Sequence, residues 1–191
     1  MSPLCSIVIR AFNEEKHIGK LLDGIQHQNI KDVQVILVDS GSSDKTVEIA
    51  KEYNVEVVNI QPQDFTFGRS LNLGISHAQA EYVIFASAHV YPVYPDWLVK
   101  LLEPFTDPKV AISYGKQRGM ETTQFSEHRI FEHWFPDIST NNQNHPFCTN
   151  DNADIRKKLW EKHAYNETST GLEDLECRNG PHARGLKFLT V

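Results

Sequence analysis

At 191 residues, 40% of them hydrophobic and 23% charged, the chain has the composition of one globular domain with a real core. A formal net charge of -6 argues against a nucleic-acid binder that relies on non-specific phosphate attraction, although a local basic cluster can still hold a small anion. Cys5, Cys148 and Cys177 are widely spaced and show no metal-ligand or redox pattern, which fits a reduced, cytoplasmic setting. No apolar run approaches the length of a membrane span and no leading segment of secretion-signal type is expected, with peripheral membrane contact left open.

In chain order, Cys5-Ser-Ile-Val-Ile9 reads as a short strand ended by Arg10-Ala-Phe-Asn13. Asn13 is the expected cap of the next helix, with Glu14 and Glu15 suited to its dipole and Ile18, Leu21, Leu22 and Ile25 on its buried face. Val33 to Val38 is a near-continuous apolar run, the pattern of a strand covered on both faces, and Asp39 falls where it stops. Ser40 to Ser43 form a small polar loop, and Ser43 or Asp44 is placed to cap a helix carrying Thr46, Ile49, Ala50 and Tyr53. Val55 to Ile60 is a third strand. After a loop with Pro62, a helix starts at Phe67 with Leu71, Gly74, Ile75 and Ala78 on one side. Tyr82 to Ala86 is a buried strand leading into Ser87-Ala-His89, followed by a helix with Trp97, Leu98, Leu101, Leu102 and Phe105, and by the strand Val110 to Tyr114. Repeated βα steps predict a parallel sheet with right-handed crossovers.

The second half is richer in His, Asn, Thr and aromatics. A helix with an exposed aromatic side is expected around His128, Ile130, Phe131, Trp134 and Phe135, and a polar loop from Asp137 to Pro146. Ala153 to Trp160 reads as a short helix, Gly171 to about Gly180 as another, and Leu186 to Val191 as a strand. A chain that stops on an apolar strand reads as a fragment, or as one missing a C-terminal segment. The expected organisation is a single domain over 1–191 whose character changes between 1–115 and 116–191.

These stretches resemble the family 2 glycosyltransferases of GT-A fold. Ser6-Ile-Val-Ile-Arg-Ala-Phe-Asn13-Glu14-Glu15 is similar to the family's opening strand and Asn-Glu signature. Val38-Asp39-Ser-Gly-Ser-Ser-Asp44-Lys-Thr46 is similar to its nucleotide loop, and Gly68-Arg69-Ser-Leu-Asn72-Leu-Gly74 to the helix facing the donor diphosphate. Asn152-Ala-Asp-Ile-Arg156-Lys157 resembles the segment before the acceptor site, and Glu173-Asp174 the pair whose Asp is the catalytic base. The resemblance implies an α/β, Rossmann-like three-layer sandwich around a mostly parallel sheet, with 1–115 as the donor half and 116–191 as the acceptor half, C-terminally incomplete. It also implies inverting transfer of a sugar from a nucleotide-diphosphate sugar to a glycan, lipid-linked or small-molecule acceptor.

Two positions depart from the pattern. Arg10 stands where a proline is common. Ser87-Ala88-His89 stands where the family carries Asp-Xaa-Asp, so both acids that serve the donor's cation are replaced. An imidazole ligates Mn²⁺ acceptably, whereas Mg²⁺ prefers oxygen, so the use of a divalent cation (Mn²⁺ or Mg²⁺) rests on His89.

The expected catalytic residues are Asp174, as base, and Glu173. Glu173 and Glu176 are like charges that make Asp174 a stronger base; an acidic first turn matched to a helix dipole explains the same residues without catalysis. For the donor, the expected residues are Ala11, Phe12, Asn13, Glu14, Asp39, Ser42, Asp44, Arg69, Asn72, Ser87 and Ala88. Asp39 is placed to accept from a base N–H or ribose hydroxyls, and Arg69 to fork onto phosphate oxygens. Plain capping accounts equally for Asp44, and core packing for Phe12. A non-catalytic nucleotide-sugar binding module or an inactive fragment is the rival reading; a nucleotidyltransferase is disfavoured because no Gly-rich, Lys-bearing phosphate loop opens the chain.

Overall fold

Strands Cys5–Ala11 (β1), Val33–Asp39 (β2), Val55–Asn59 (β3), Tyr82–Ser87 (β4), Val110–Tyr114 (β5), Asn152–Arg156 (β6) and Lys187–Thr190 (β7) make one sheet in the order β3-β2-β1-β4-β6-β5-β7. The computed structural model describes residues 2–119, 123–135, 137, 149–169 and 187–191. All pairings are parallel except those of β6, which runs antiparallel to both β4 and β5. Helices are Ile18–Gln26 (α1), Thr46–Ala50 (α2), Phe67–His77 (α3), Trp97–Leu102 (α4), Phe125–Trp134 (α5) and Lys157–Lys162 (α6).

Period-2 alternation splits the strand side chains between two cores. Ile7, Ile9, Leu37, Ile84 and Ala86 face the layer of α1 and α4, meeting Leu21, Leu22, Ile25, Leu98 and Leu101. Val8, Ile36, Val38, Val83 and Phe85 face Leu71 and Ile75 of α3 and, further along, Phe135 and Tyr165. The result is the expected three-layer α/β arrangement. Among the described residues, no helix is long and apolar enough to cross a membrane.

The close seat of α3 depends on Gly74. A Cβ there would overlap Val8 Cγ1 and come within 3.1 Å of Val38 Cγ2. Both valines are β-branched, fully buried and held in central strands, so they have little freedom to move. Gly74→Ala gains about 1 kcal/mol of helix propensity, but overpacking costs about 1–3 kcal/mol. The expected outcome is a lower urea midpoint with an unchanged slope, despite the better helix former.

Two local expectations are corrected. Residues 153–156 are not helical: they belong to β6, and only Lys157 to Lys162 form the helix. The basic run Arg156-Lys157-Lys158 resembles a helix face, but Ala153 and Ile155 pack against the core and the segment is hydrogen-bonded to strands on both edges. That tertiary pairing overrides the local pattern. Asn13 does not cap α1, which starts only at Ile18 after a turn at Glu14 to His17. Asn13 instead adopts left-handed backbone, φ 56°, a conformation Asn tolerates. On α5, the exposed aromatic side is present: Phe125, Ile130 and Trp134 are exposed, while Phe131 packs inward.

Candidate functional site

Three strand ends meet at one edge of the sheet. Register sets Ala11 beside Asp39 and Arg10 beside Ser87, so β1, β2 and β4 finish together. In open α/β sheets, ligands sit beyond this carboxyl edge. β6 enters from the same edge in the opposite direction, and the Ser87 N–H donates to the Asp151 carbonyl at 3.1 Å.

The loops after β1 and β2 are laced together. Asn13 N–H donates to Ser42 Oγ at 2.8 Å, Ser43 N–H to Asn13 Oδ1 at 2.8 Å, Glu14 N–H to Thr46 Oγ1 at 2.6 Å and Glu15 N–H to Asp44 Oδ2 at 3.0 Å. Lys45 N–H returns to Glu15 Oε2 at 3.1 Å. Asp44 also accepts from the Thr46 N–H and hydroxyl; it lies one residue before Lys45, the N-cap of α2, which makes no side-chain capping bond, so the expected cap by Ser43 or Asp44 is not formed. Partial burial pushes its carboxyl up, and the hydrogen bonds from Thr46 and Glu15 outweigh that and hold it below the ordinary carboxylate value.

Asp39 is the most constrained acid of this edge, 3% exposed. Its Oδ2 accepts from the Gly41 and Ser42 N–H groups, each at 3.1 Å, and Gly41 makes the return possible with φ 90°. Its Oδ1 is buried and has no hydrogen-bond partner. A buried carboxylate oxygen without a donor is costly, and a bound N–H or O–H recovers that free energy. Phe12 lies beside it, 56% exposed, so core packing does not account for it. Ala11 and Ala88 point into the core and offer only backbone here.

Ser87 is buried at the end of β4, and His89 is exposed two residues on. His89 Nδ1 lies 3.3 Å from Glu14 Oε1. Among the described residues, no three His, Cys, Asp or Glu side chains cluster as a ready-made metal site.

Arg69 sits in the first turn of α3, whose N-terminus is capped by Thr66 Oγ1. Its Nε donates to Glu167 Oε2 at 3.0 Å, and its Nη1 to the Asp64 carbonyl at 3.0 Å. Asn72 is used on both sides of its amide: Nδ2 donates to the Tyr165 carbonyl (2.8 Å) and Glu167 Oε1 (3.0 Å), and Oδ1 accepts from Trp160 Nε1 (2.7 Å) and Tyr165 N–H (2.9 Å). Asn72 and Arg69 together hold the Glu167 carboxyl below its usual value by hydrogen bonding, against partial desolvation. Arg10 reaches the same region: its guanidinium lies over the Phe67 ring at 5.3 Å and 3.6 Å from Asp151 Oδ1. Sequence reasoning missed Glu167 and Asp151. Glu167 is 98 positions from Arg69, and no local pattern announces such a pairing; the polar triplet Asn150-Asp151-Asn152 before a buried strand was the available signal for the other. Glu173 and Asp174 lie outside the described residues, as do Cys148 and Cys177; Cys5 is buried and free.

The family model for Glycosyl transferase family 2 matches residues 6–163, which include the laced loops, the α3 turn and the β4 end. The chain belongs to glycosyl transferase family 2. O-antigen chain rhamnosyltransferase RfbN of Salmonella typhimurium is 31% identical to it over 114 residues, 59% of this chain and 36% of that protein. The chain thus spans about a third of the length of curated relatives such as RfbN. Among solved structures, S. aureus TarS in complex with UDP-GlcNAc superposes with a TM-score of 0.76 at 17% identity, covering 100% of this chain and 56% of that one. Mannosyltransferase PcManGT from Pyrobaculum calidifontis, in complex with GDP-Man and Mn²⁺, gives a TM-score of 0.77 at 18% identity, covering 100% and 55%. At these identities the structures speak for the fold, and the family 2 domain described here has the GT-A fold of these glycosyltransferases.

Proposed function

We propose that this family 2 domain transfers a sugar from a nucleotide-diphosphate sugar to an acceptor hydroxyl with inversion. The observation that carries the reading is Asp39 Oδ1, a buried acceptor without a donor, at the carboxyl edge of the sheet between the exposed Phe12 and the laced serine loop. A nucleoside supplies both complements: an N–H or ribose O–H for Asp39 and a flat face for Phe12. Asn13, Glu14, Ser42 and Asp44 hold that end in shape, and Ser87 and the Ala88 backbone flank the diphosphate. Arg69 brings positive charge near it from the first turn of α3, and Asn72 acts from behind by fixing Glu167 against Arg69.

In the transfer, the acceptor oxygen attacks the anomeric carbon as the bond to the diphosphate oxygen breaks. The acceptor proton passes to Asp174, the bonding electrons leave with the diphosphate, and Glu173 orients the acceptor. Stabilising the leaving charge is the main electrostatic task. The β4 end offers one exposed imidazole, His89, and among the described residues no three His, Cys, Asp or Glu side chains gather there; an imidazole ligand suits a borderline cation such as Mn²⁺ better than Mg²⁺. His89 would hold that cation, which supplies Lewis-acid neutralisation of the diphosphate when bound. The acceptor is a glycan, a lipid-linked saccharide or a small molecule; one relative named as an O-antigen chain rhamnosyltransferase favours a polysaccharide pathway.

The replacement of both strand-end acids by Ser87 and His89 favours one rival, a nucleotide-sugar binding module without turnover. A thermal-shift panel of UDP, GDP, dTDP and their sugars, with and without Mn²⁺, identifies the donor. Asp174→Asn is then expected to keep donor binding and lose transfer by roughly 100-fold or more. Loss of donor binding in a folded Asp174→Asn protein removes the base assignment, and donor binding with no turnover for any acceptor establishes the rival.

A further inference from the structure

We infer that the side-chain amides of Asn150 and Gln117 hold hydroxyl oxygens of the donor's sugar and take part in choosing which sugar the domain accepts. The inference rests on the nucleotide-sugar reading above and adds to it the end of the site that meets the transferred group. Gln117 stands three residues after β5, and Asn150 two before β6. The two strands are antiparallel neighbours, and the Gly115 N–H donates to the Asn152 carbonyl at 2.9 Å, so both residues leave this strand pair at the carboxyl edge of the sheet. Asn150 Nδ2 and Gln117 Nε2 are each buried without a hydrogen-bond partner. Buried donors without acceptors are costly, as the orphaned Asp39 oxygen is, and ligand oxygens recover that free energy.

Strand order decides what reaches them. From β2, the strand that carries Asp39, to β6 is three strand spacings, about 14 Å. A nucleoside over β2 with its diphosphate running past the β4 end therefore brings the sugar to β6 and β5. The groups there suit hydroxyls rather than phosphate. Asp151, next to Asn150, keeps a carboxylate 41% exposed beside the Arg10 guanidinium. Its oxygens only accept, so they pair with hydroxyls and not with ionised phosphate, and amide donors beside such an acceptor match a group that both donates and accepts. Asn150 is also set in advance. It is 4% exposed, and its Oδ1 accepts from the Tyr165 hydroxyl at 3.3 Å. The Tyr165 backbone is in turn clamped by Asn72, which accepts from its N–H at 2.9 Å and donates to its carbonyl at 2.8 Å. With the oxygen side of the Asn150 amide engaged, its NH₂ side is the one left for a ligand. A site built to hydrogen-bond a hydroxyl rejects a sugar that lacks it, because the buried donors then stay unpaired.

The test is calorimetric titration of three matched pairs, UDP with UDP-GlcNAc, GDP with GDP-mannose and dTDP with dTDP-rhamnose, into wild type, Gln117→Met and Asn150→Ala. The readout is the ratio of the two Kd values within the pair that wild type binds, so a general loss of affinity cancels. Each substitution is expected to weaken the nucleotide sugar about 3- to 10-fold and to leave the bare diphosphate unchanged. A merely structural role for either amide would not produce that split. Should Asn150→Ala fail to fold, Gln117→Met, which keeps the side-chain length, and Asn150→Asp, which keeps the oxygen that faces Tyr165, still decide. Equal losses for nucleotide sugar and diphosphate, or no loss for either, overturn the inference and leave the nucleotide-sugar reading standing. Binding of a bare diphosphate by wild type with none of the three nucleotide sugars bound also overturns it. Absence of binding by all six ligands overturns both.

Discussion

Asp39→Asn is expected to weaken binding of the cognate nucleoside diphosphate by roughly 30- to 150-fold, the equivalent of about 2–3 kcal/mol for a charge-assisted hydrogen bond replaced by a donor facing a donor. The geometry makes this a clean substitution. Asn Oδ1 takes over the place of Asp39 Oδ2 and accepts from Gly41 and Ser42, so the loop keeps its two anchors. The amide NH₂ then occupies the position of the unpartnered Oδ1, where a base N–H or ribose O–H needs an acceptor. Stability is expected to change little, because the pair of loop bonds survives. Asp39→Ala provides the contrast: it orphans both N–H groups and should lose stability as well as affinity. Calorimetric titration of each variant checks both statements, and an unchanged Kd for Asp39→Asn removes Asp39 from the nucleoside site.

The second large effect lies in the core, away from the site. Asp154 in β6 is fully buried, between Ile84 and Ser113 in register, and neither of its carboxyl oxygens has a hydrogen-bond partner. Burial pushes its carboxyl well above the usual range; the Arg156 charge and the Ile155 N–H pull it down and do not compensate. The fold therefore holds the neutral acid, whereas the unfolded chain ionises at an ordinary carboxylate value. This residue's contribution to stability is complete below the unfolded value and is lost as pH rises through the raised folded one. Asp154→Asn removes the ionisation while keeping size and polarity. Its stability is expected to fall less than that of wild type as pH rises from the ordinary carboxylate range to neutrality, and to be higher at neutral pH by about 1–3 kcal/mol, which corresponds to roughly 2–4 °C in Tm per kcal/mol for a chain of this size. Paired thermal melts across that range isolate the difference from the background titration of the histidines. Parallel curves for the two proteins would refute it. Cys5, in the same buried layer, has its thiol pushed up to about 12, chiefly by burial, so it is a packing residue near neutral pH.

Much of the sheet was legible because near-continuous apolar runs such as Val33 to Val38 have the length of buried strands and stop at polar loops, and the α1 and α3 faces follow from 3.6-residue spacing. β6 was not legible. Its sequence, Asn-Ala-Asp-Ile-Arg, puts a carboxylate where a central strand normally has an apolar residue, and only pairing with β4 and β5 makes it a strand. The placement of Asp39, Ser87 and His89 at or just past strand ends was legible from where the apolar runs stop, while the roles expected of Ser87 and His89 came from the family resemblance. The contacts that hold them were not: Asn13 with Ser43 spans 30 positions, Glu14 with His89 spans 75, and Arg69 with Glu167 spans 98. Sequence displays the types of groups at hand, and long-range pairing decides which of them meet.

The lacing of the loops after β1 and β2 has a consequence for changing what the domain accepts. Each loop supplies both donors and acceptors to the other, through Asn13, Glu14 and Glu15 on one side and Ser42, Ser43, Asp44, Lys45 and Thr46 on the other. Substitutions across this seam are therefore coupled, and their energies will not add. A serine loop transplanted alone from a relative with a different nucleobase preference would leave the recipient's β1 turn with unmatched hydrogen-bonding groups. Under the proposed nucleotide-sugar reading, nucleobase preference would be shared by the two segments, and redesign has to move them together.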